Sequence, residues 1–203
     1  MKPKKEFVIF NGADPKYYQR TESDGVKRVI MSARWKQRGH KRLKEMLEIA
    51  VEYRKAHEDV QFYVAGDNEY MKKKWDGIAM LGHIEEPELK ALINKCDCML
   101  NIAYYDWCPN AVVESLVAGV PVICASGSGV SEIVRYSGIT LELNDPLPLD
   151  IKRCCNPPPF DRYPVLSALD EVLFSGWEFP KPEHLYIETI AKQYAEAFNE
   201  ILR

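Results

Sequence analysis

A lone carboxylate and a glycine-rich turn, one predicted strand apart, are the groups in this chain best suited to chemistry. Glu114 lies among the largely apolar residues 111–117. A carboxylate in apolar surroundings costs several kcal/mol unless it has a partner, so we expect Glu114 to line a cleft or to accept hydrogen bonds from hydroxyls. The Ser-Gly-Ser-Gly turn at residues 126–129 opens a predicted helix. Such a turn directs several N–H groups at one spot and favours an anion there.

A helix, a tight turn and a buried strand are predicted to position these groups. Pro109 suits a first helical turn, where its missing N–H costs nothing. Gly119 stands where a helix end requires a positive φ. Residues 120–124 form a short continuous apolar run, typical of a strand covered on both faces. The apolar positions of the helix recur every three to four residues: Ala111, Val112, Leu116 and Val117.

Residues 106–132 resemble the donor-binding half of GT-B glycosyltransferases, the retaining class (group 1, or family 4-like) that includes sucrose, mannosyl and glycogen-synthase-like enzymes. Those enzymes carry two acidic residues separated by seven others, then small residues, Gly, x-Pro-Val and a glycine-rich turn ending in Glu. The first acidic residue is usually Glu; here it is Asp106, whose side chain is one methylene shorter. The pattern is carried here by Asp106, Cys108, Pro109, Asn110, Glu114, Gly119, Pro121, Gly127, Gly129 and Glu132.

This resemblance implies a role for each matching position. Glu114 would accept hydrogen bonds from the ribose of a nucleotide, and Asp106 would face the transferred sugar. The other positions implied to contact the nucleotide sugar in this stretch are Asn110, Gly127, Ser128 and Gly129. Glu132 has a plainer explanation, since the helix dipole favours a first-turn Glu.

A basic loop follows the predicted strand at residues 26–33. In α/β folds, ligands bind where loops leave the carboxyl ends of parallel strands, and Arg or Lys there can neutralise a diphosphate. The resemblance implies this role for Arg34 and for a second cation, for which we favour Lys41 over Arg38. The alternatives are a solvated basic helix start or a nucleic-acid patch. The patch is disfavoured because no aromatic platform or second basic stripe accompanies it.

Two other predicted strand ends complete the candidate site. Gly66 stops a strand at residues 60–65 and would let a ligand approach the backbone closely. The resemblance implies that backbone groups of His83 and Ile84, after a strand at residues 78–81, read the nucleotide base. The alternative is that His83 is an ordinary surface histidine.

Strands and helices alternate along the chain without a hairpin signal, which predicts a parallel, doubly wound α/β sheet. We interpret it as Rossmann-like and as one half of a GT-B architecture. Residues 7–10 are predicted to form a strand closed by Asn11-Gly12. The resembling enzymes carry Asn-Gly-x-Asp here, although a plain turn explains the pair when taken alone. Residues 16–25 are predicted to be an exposed loop.

The whole chain, residues 1–203, is interpreted as a single nucleotide-sugar-binding domain. Its core spans about residues 7–143, followed by a proline-rich loop at 144–164 and C-terminal helices at 165–203. Residues 166–173 are predicted to form a short helix. The clearest helical stripe lies at residues 183–202, and we expect its apolar face to pack on this domain.

Composition excludes several classes of protein. A net charge of −3 provides no global attraction for nucleic acid, and 46% hydrophobic residues is ordinary for a globular chain. No apolar run reaches the length of a membrane span, and the basic start lacks the apolar region of a signal peptide. The six cysteines contain no CxxC pair, which favours reduced thiols and a cytoplasmic setting. No residues have metal-ligand spacing, so neither a metal nor another cofactor is expected.

The predicted function is donor binding in a glycosyltransferase that transfers a sugar with retention to an unknown acceptor. One alternative is half of a nucleotide-sugar epimerase, which would turn over donor without acceptor. Another is a non-catalytic nucleotide-binding module. Because one sheet accounts for most residues, we expect the N-terminal GT-B half to be supplied in cis or in trans and the isolated chain to be inactive.

Overall fold

The computed structural model describes residues 5–22, 24–35, 39–143 and 157–202. Strands and helices alternate through most of this length. The strands are β1 (Arg28–Ser32), β2 (Gln61–Ala65), β3 (Ile78–Gly82), β4 (Cys98–Asn101), β5 (Val122–Ala125) and β6 (Gly138–Leu141). The helices are α1 (Leu43–Arg54), α2 (Glu86–Ile93), α3 (Asn110–Val117), α4 (Gly129–Val134), α5 (Tyr163–Phe174) and α6 (Ile187–Ile201), with 3₁₀ turns at Gly39–Lys41 and Glu183–Leu185.

All six strands join one parallel sheet in the order β3-β2-β1-β4-β5-β6. This is the order of a doubly wound fold, and its direction reverses between β1 and β4. The predicted fold class is therefore confirmed. The switch point between β1 and β4 is also where such folds bind ligands.

Helices cover both faces of the sheet, because successive strand residues point to opposite faces. Val29 packs on the face covered by α1 and α5, whereas its neighbour Ile30 packs on the face covered by α2, α3 and α4. Burial on both faces explains why the strands are continuous apolar runs rather than alternating ones.

Several predicted boundaries move by a few residues. The strand predicted at 120–124 is Val122–Ala125, and the strand predicted at 26–33 is Arg28–Ser32. Gly119 has a φ of +80° after α3, as predicted. α5 begins at Tyr163 and holds Pro164 in its first turn, where proline is tolerated. The predicted loop therefore ends earlier than residue 164, and its residues 144–156 lie outside the described residues.

In the N-terminal segment the predicted strand is wrong, whereas the predicted exposed loop is confirmed for all but one of its described residues. Residues 7–10 form no strand; nearby, Ala13 makes an isolated bridge with Tyr186. Gly12 packs so closely on α6 that a Cβ would lie 2.8 Å from Ile190. The predicted exposed loop at 16–25 contains Tyr18, which is buried in the core on the α3 face.

The prediction that the α6 stripe packs on this domain is also largely wrong. Only Ile190 and Ala197 of this helix are buried. No part of the described chain covers the rest of the apolar stripe, whose exposed members are Ile187, Tyr194, Phe198 and Ile201, followed by Leu202. None of the described helices combines the length and the apolar character that a membrane crossing requires.

Candidate functional site

The loops that follow β1 and β4 meet at the switch point of the sheet. The Lys41 ammonium lies 2.6 Å from Oδ2 of Asp106, and the two side chains are only 8% and 17% exposed. Beside them, the backbone N–H of Tyr104 donates to the His40 carbonyl at 2.7 Å. The structure thus brings Lys41 and Asp106 into contact. The resemblance implied that Lys41 binds the diphosphate of a donor and that Asp106 faces its sugar.

The buried side chain of Arg42 also connects the loops that follow β1 and β4. Its side chain is fully buried, and its guanidinium lies 5.4 Å from the ring centre of Tyr104 and 4.5 Å from that of Phe160. Nη2 donates to the Pro158 carbonyl at 2.9 Å, and burial lowers the pKa of Arg42. Sequence reasoning missed this residue because a basic loop is usually solvated and its aromatic partners lie far along the chain.

The glycine turn lies on the other side of the Asp106 segment. A Cβ at Gly129 would overlap the carbonyl oxygen of Trp107, so only glycine allows this approach. Gly127 has a φ of +75°, a conformation in which glycine carries no steric penalty. Ser128 is buried, and its hydroxyl has no hydrogen-bond partner among the described residues. The Asp106 segment therefore lies between the basic loop and the glycine turn.

Glu114 is half-buried on α3, and it has the hydroxyl partner that its surroundings require. That partner is Tyr18, whose hydroxyl is hydrogen-bonded to the carboxylate. Burial raises the pKa of Glu114; the bond from Tyr18 opposes this, nearby Glu86 adds to it and Lys90 reduces it. The sequence predicted the need for a partner but not that Tyr18 supplies it.

A pocket of about 350 Å³ opens beside Glu114. Across it, the side-chain amide of Asn11 donates to the side-chain oxygen of Asn110 at 2.8 Å. Asn11-Gly12 is therefore more than a plain turn, because it holds the N-terminal segment against α3. The pocket is lined by Phe10, Asn11, Gly12, Asn110, Val113, Glu114, Ile187, Ile190 and Tyr194.

Gly66, His83 and Ile84 lie farther along the sheet edge, at the ends of β2 and β3. A Cβ at Gly66, where φ is +106°, would overlap the Ala33 carbonyl oxygen, so packing against the end of β1 already requires glycine. The backbone N–H of His83 donates to Oδ1 of Asp67 at 3.0 Å, whereas its side chain is exposed. These contacts lie at the ends of β1, β2 and β3 and do not involve Asp106.

Arg34 is exposed just beyond β1 and makes no ion pair with a residue in the described ranges. Arg38, the other basic candidate, lies outside those ranges. Across the part of the chain that is described, no cluster of three His, Cys, Asp or Glu side chains could hold a metal ion. The described cysteines, Cys96, Cys98, Cys108 and Cys124, are free thiols.

The doubly wound sheet, with acidic, basic and glycine loops gathered at its carboxyl edge, is the fold of a GT-B glycosyltransferase domain. Residues 26–150 match the family of group 1 glycosyl transferases, and the chain belongs to that family. The resemblance noted from the sequence is therefore confirmed.

Three solved structures that are similar to this chain are each considerably longer than it is. WaaB, the lipopolysaccharide outer core galactosyltransferase in its apo form, matches with a TM-score of 0.69 at 16% identity, over 96% of this chain and 55% of its own. Sucrose-phosphate synthase from Thermosynechococcus elongatus matches with a TM-score of 0.66 at 15% identity, over 96% and 52%. Anabaena Alr3699/HepE in complex with UDP-glucose matches with a TM-score of 0.62 at 16% identity, over 96% and 57%.

One similar protein comes from a virus. This viral protein, ORF31 (isolate Australia/Victoria), is named as a glycosyltransferase and is 28% identical over 128 residues, which are 63% of this chain and 36% of the viral protein. The matched region therefore spans about a third of the viral relative, and the chain spans about half of the similar solved structures.

Proposed function

We propose that this chain binds a nucleotide-diphosphate sugar at the carboxyl ends of β1, β4 and β5, as the donor half of a glycosyltransferase that transfers the sugar with retention. The observation that carries this proposal is the Lys41–Asp106 pair at the switch point, with the Gly127–Gly129 turn packed against the other side of the Asp106 segment. Membership of the group 1 family supports the transferase class.

Each part of the donor has a proposed contact. Positive charge in the loop after β1, with Arg34 in contact, would stabilise the leaving diphosphate as its charge grows, in place of a metal ion. The resemblance gives Lys41 the same role, but its ion pair with Asp106 favours a different one. Amides of the glycine turn would hold phosphate, and Asp106 would face the sugar. Glu114 and Asn110, which both line the pocket, would bind the ribose side of the nucleotide.

The base would be read farther along the sheet edge, by His83 and Ile84. Because the His83 amide already donates to Asp67, the remaining backbone groups of this turn are the ones proposed to meet the base. UDP is the first nucleotide to test, since HepE is described in complex with UDP-glucose; GDP is the second.

A thermal-shift screen against UDP, GDP, ADP and their sugars tests the proposal. A ligand that binds only the folded state raises the melting temperature by an amount that grows with its concentration relative to Kd. We expect one nucleoside diphosphate to raise it while the other two do not. The proposal fails if none of them does so at millimolar concentration.

The acceptor side of the reaction is proposed to come from a second GT-B half, in cis or in trans. Two facts support this: the chain spans only about half of the similar solved structures, and the α6 stripe is exposed. Contiguous apolar surface of this kind marks interaction sites. A donor bound to one half alone stays open to water and is not oriented against an acceptor.

The isolated chain is therefore expected to bind donor weakly and to transfer no sugar. Incubating it with labelled UDP- and GDP-sugars and a panel of acceptors checks this, and efficient product formation without an added partner would contradict it. We also propose a cytoplasmic setting, which the free thiols of the four described cysteines support.

A further inference from the structure

We propose that Lys41 is a positioning residue for Asp106 and not a ligand of the diphosphate. The inference rests on the proposed function, since it divides the roles of two residues within that site. It leaves Arg34 to hold the phosphates.

The first support is the geometry of the pair. Nζ of Lys41 and Oδ2 of Asp106 are 2.6 Å apart, and both side chains are largely shielded from water. An exposed ion pair breaks and reforms easily because water solvates each charge. A shielded pair cannot separate without leaving an uncompensated charge in the interior, so Lys41 is held on Asp106.

The second support is that both sequence neighbours of Lys41 contact Tyr104, in the loop that carries Asp106. On one side, the His40 carbonyl accepts from the Tyr104 backbone. On the other, the buried guanidinium of Arg42 lies over the Tyr104 ring. The position of the Lys41 backbone relative to Asp106 is thus set by contacts that do not involve the ion pair itself.

The third support is electrostatic. A diphosphate approaching Lys41 also meets the Asp106 carboxylate in contact with it, and the two charges largely cancel at a distance. Arg34 is exposed, carries a planar fork suited to phosphate and makes no ion pair within the described residues.

The pairing also leaves one carboxylate oxygen for the substrate. Lys41 takes Oδ2, and Oδ1 of Asp106 makes no hydrogen bond with a residue of the described ranges. Because Asp is shorter than the Glu usual at this position, its carboxylate has less reach. Fixing its direction through Lys41 would aim Oδ1 at a hydroxyl of the sugar.

The test is a charge-balanced double variant, Lys41→Met with Asp106→Asn, in the full chain. It removes one positive and one negative charge, so the net field on a diphosphate barely changes. Titration calorimetry with uridine, UDP and UDP-glucose, or with the guanosine series if screening selects it, separates nucleoside, phosphate and sugar recognition. Arg34→Met serves as the phosphate-binding comparison, and Lys44→Met removes a nearby exposed lysine as the control.

We expect the double variant to bind UDP within about twofold of the unaltered chain and to bind UDP-glucose about tenfold more weakly, the scale of one lost hydrogen bond to a charged group. Asp106→Asn alone should lower the ratio of UDP-glucose to UDP affinity by the same factor as the double variant does. Both variants lose the contact between the Asp106 carboxylate and the sugar. Arg34→Met should weaken both phosphate ligands, and Lys44→Met neither. A merely structural defect would weaken UDP and UDP-glucose together.

Loss of UDP affinity by about tenfold or more in the double variant would overturn the inference, because it would make Lys41 a phosphate ligand. If the unaltered chain binds none of the nucleotides, the proposed function fails separately. The pairing then still has a test in urea unfolding: the single variants should each destabilise the fold by more than the double variant does. Additive effects would overturn it.

Discussion

The junction of the β1 and β4 loops and the outer face of α6 differ in how well this chain covers their side chains. At the junction, Lys41 and Asp106 form an ion pair, and Arg42 lies over two aromatic rings and donates from Nη2 to Pro158, although its Nε and Nη1 have no hydrogen-bond partner among the described residues. On α6, which has the most strongly amphipathic pattern of the described helices, most of the apolar stripe faces solvent. The side chains of the first region are buried against this chain, whereas the second region has the composition of an interface without a described partner.

This difference shows what an amphipathic pattern can establish. The spacing of apolar residues on α6 correctly predicts a helix with one apolar face. It says nothing of whether that face meets this domain or a separate surface, since both would select the same residues.

The largest expected effect is a difference in stability between substitutions on the buried and the exposed sides of α6. Ile190→Ala should destabilise the chain by about 3 kcal/mol, because Ile190 is buried and its removal leaves a cavity. Ile201→Ala, the same substitution on the exposed stripe, should change stability by less than about 0.5 kcal/mol. Urea unfolding of both variants measures the difference. Equal losses would mean that the stripe is covered in solution.

The next effect concerns the glycine turn at the site. Gly129→Ala should destabilise the fold by about 2 kcal/mol, the scale of overpacking, because the added Cβ would overlap the backbone of Trp107. It should also weaken nucleoside diphosphate binding by moving the Asp106 segment. Urea unfolding and titration calorimetry measure the two effects.

Gly176→Ala is the matched control for this substitution. Gly176 has a φ of +71° and open space around it, so its cost is only the backbone strain of about 1 kcal/mol. If this control reduces stability more than Gly129→Ala does, the close approach at Gly129 is not what constrains the turn.

An effect of similar size tests Glu114, and it acts in opposite directions on binding and stability. Glu114→Gln should weaken nucleotide binding by about 2 kcal/mol, the scale of hydrogen bonds to a charged group. Titration calorimetry measures this loss, and unchanged affinity would remove Glu114 from the ribose site.

The same substitution should stabilise the unliganded fold at neutral pH. Burial raises the pKa of Glu114 in the folded state, so the folded chain holds its proton to higher pH than the unfolded chain does. Stability contributed by this group is therefore present below the unfolded pKa and falls as the pH rises through the folded pKa. Glu114→Gln removes that fall, which urea unfolding at a series of pH values measures.

Much of the fold could be predicted because its signals are local. Continuous apolar runs indicate buried parallel strands, and Gly119 marks the end of α3 by its required φ. Phe7 to Phe10 look equally strand-like, but a strand also needs a neighbour with free backbone groups. That neighbour depends on tertiary contacts, and the chain just after this segment instead packs beside α6.

For the candidate site, the chemistry of single residues could be predicted better than their pairing. The need for a partner at Glu114 follows from its apolar surroundings, but Tyr18 lies far earlier in the chain and in a segment that looked exposed. Likewise Lys41 and Asp106 follow different strands, and only the order of the sheet places β1 beside β4.

The central claim is that a nucleotide-diphosphate binds at the carboxyl edge of β1, β4 and β5. Amide chemical-shift mapping of the labelled chain during titration with the nucleoside diphosphate selected by screening tests it most directly. We predict shifts centred on Lys41, Tyr104, Asp106 and residues 127–129, with smaller ones near Glu114. Shifts confined to the face formed by α1 and α5, or no shifts at millimolar nucleotide, would contradict it.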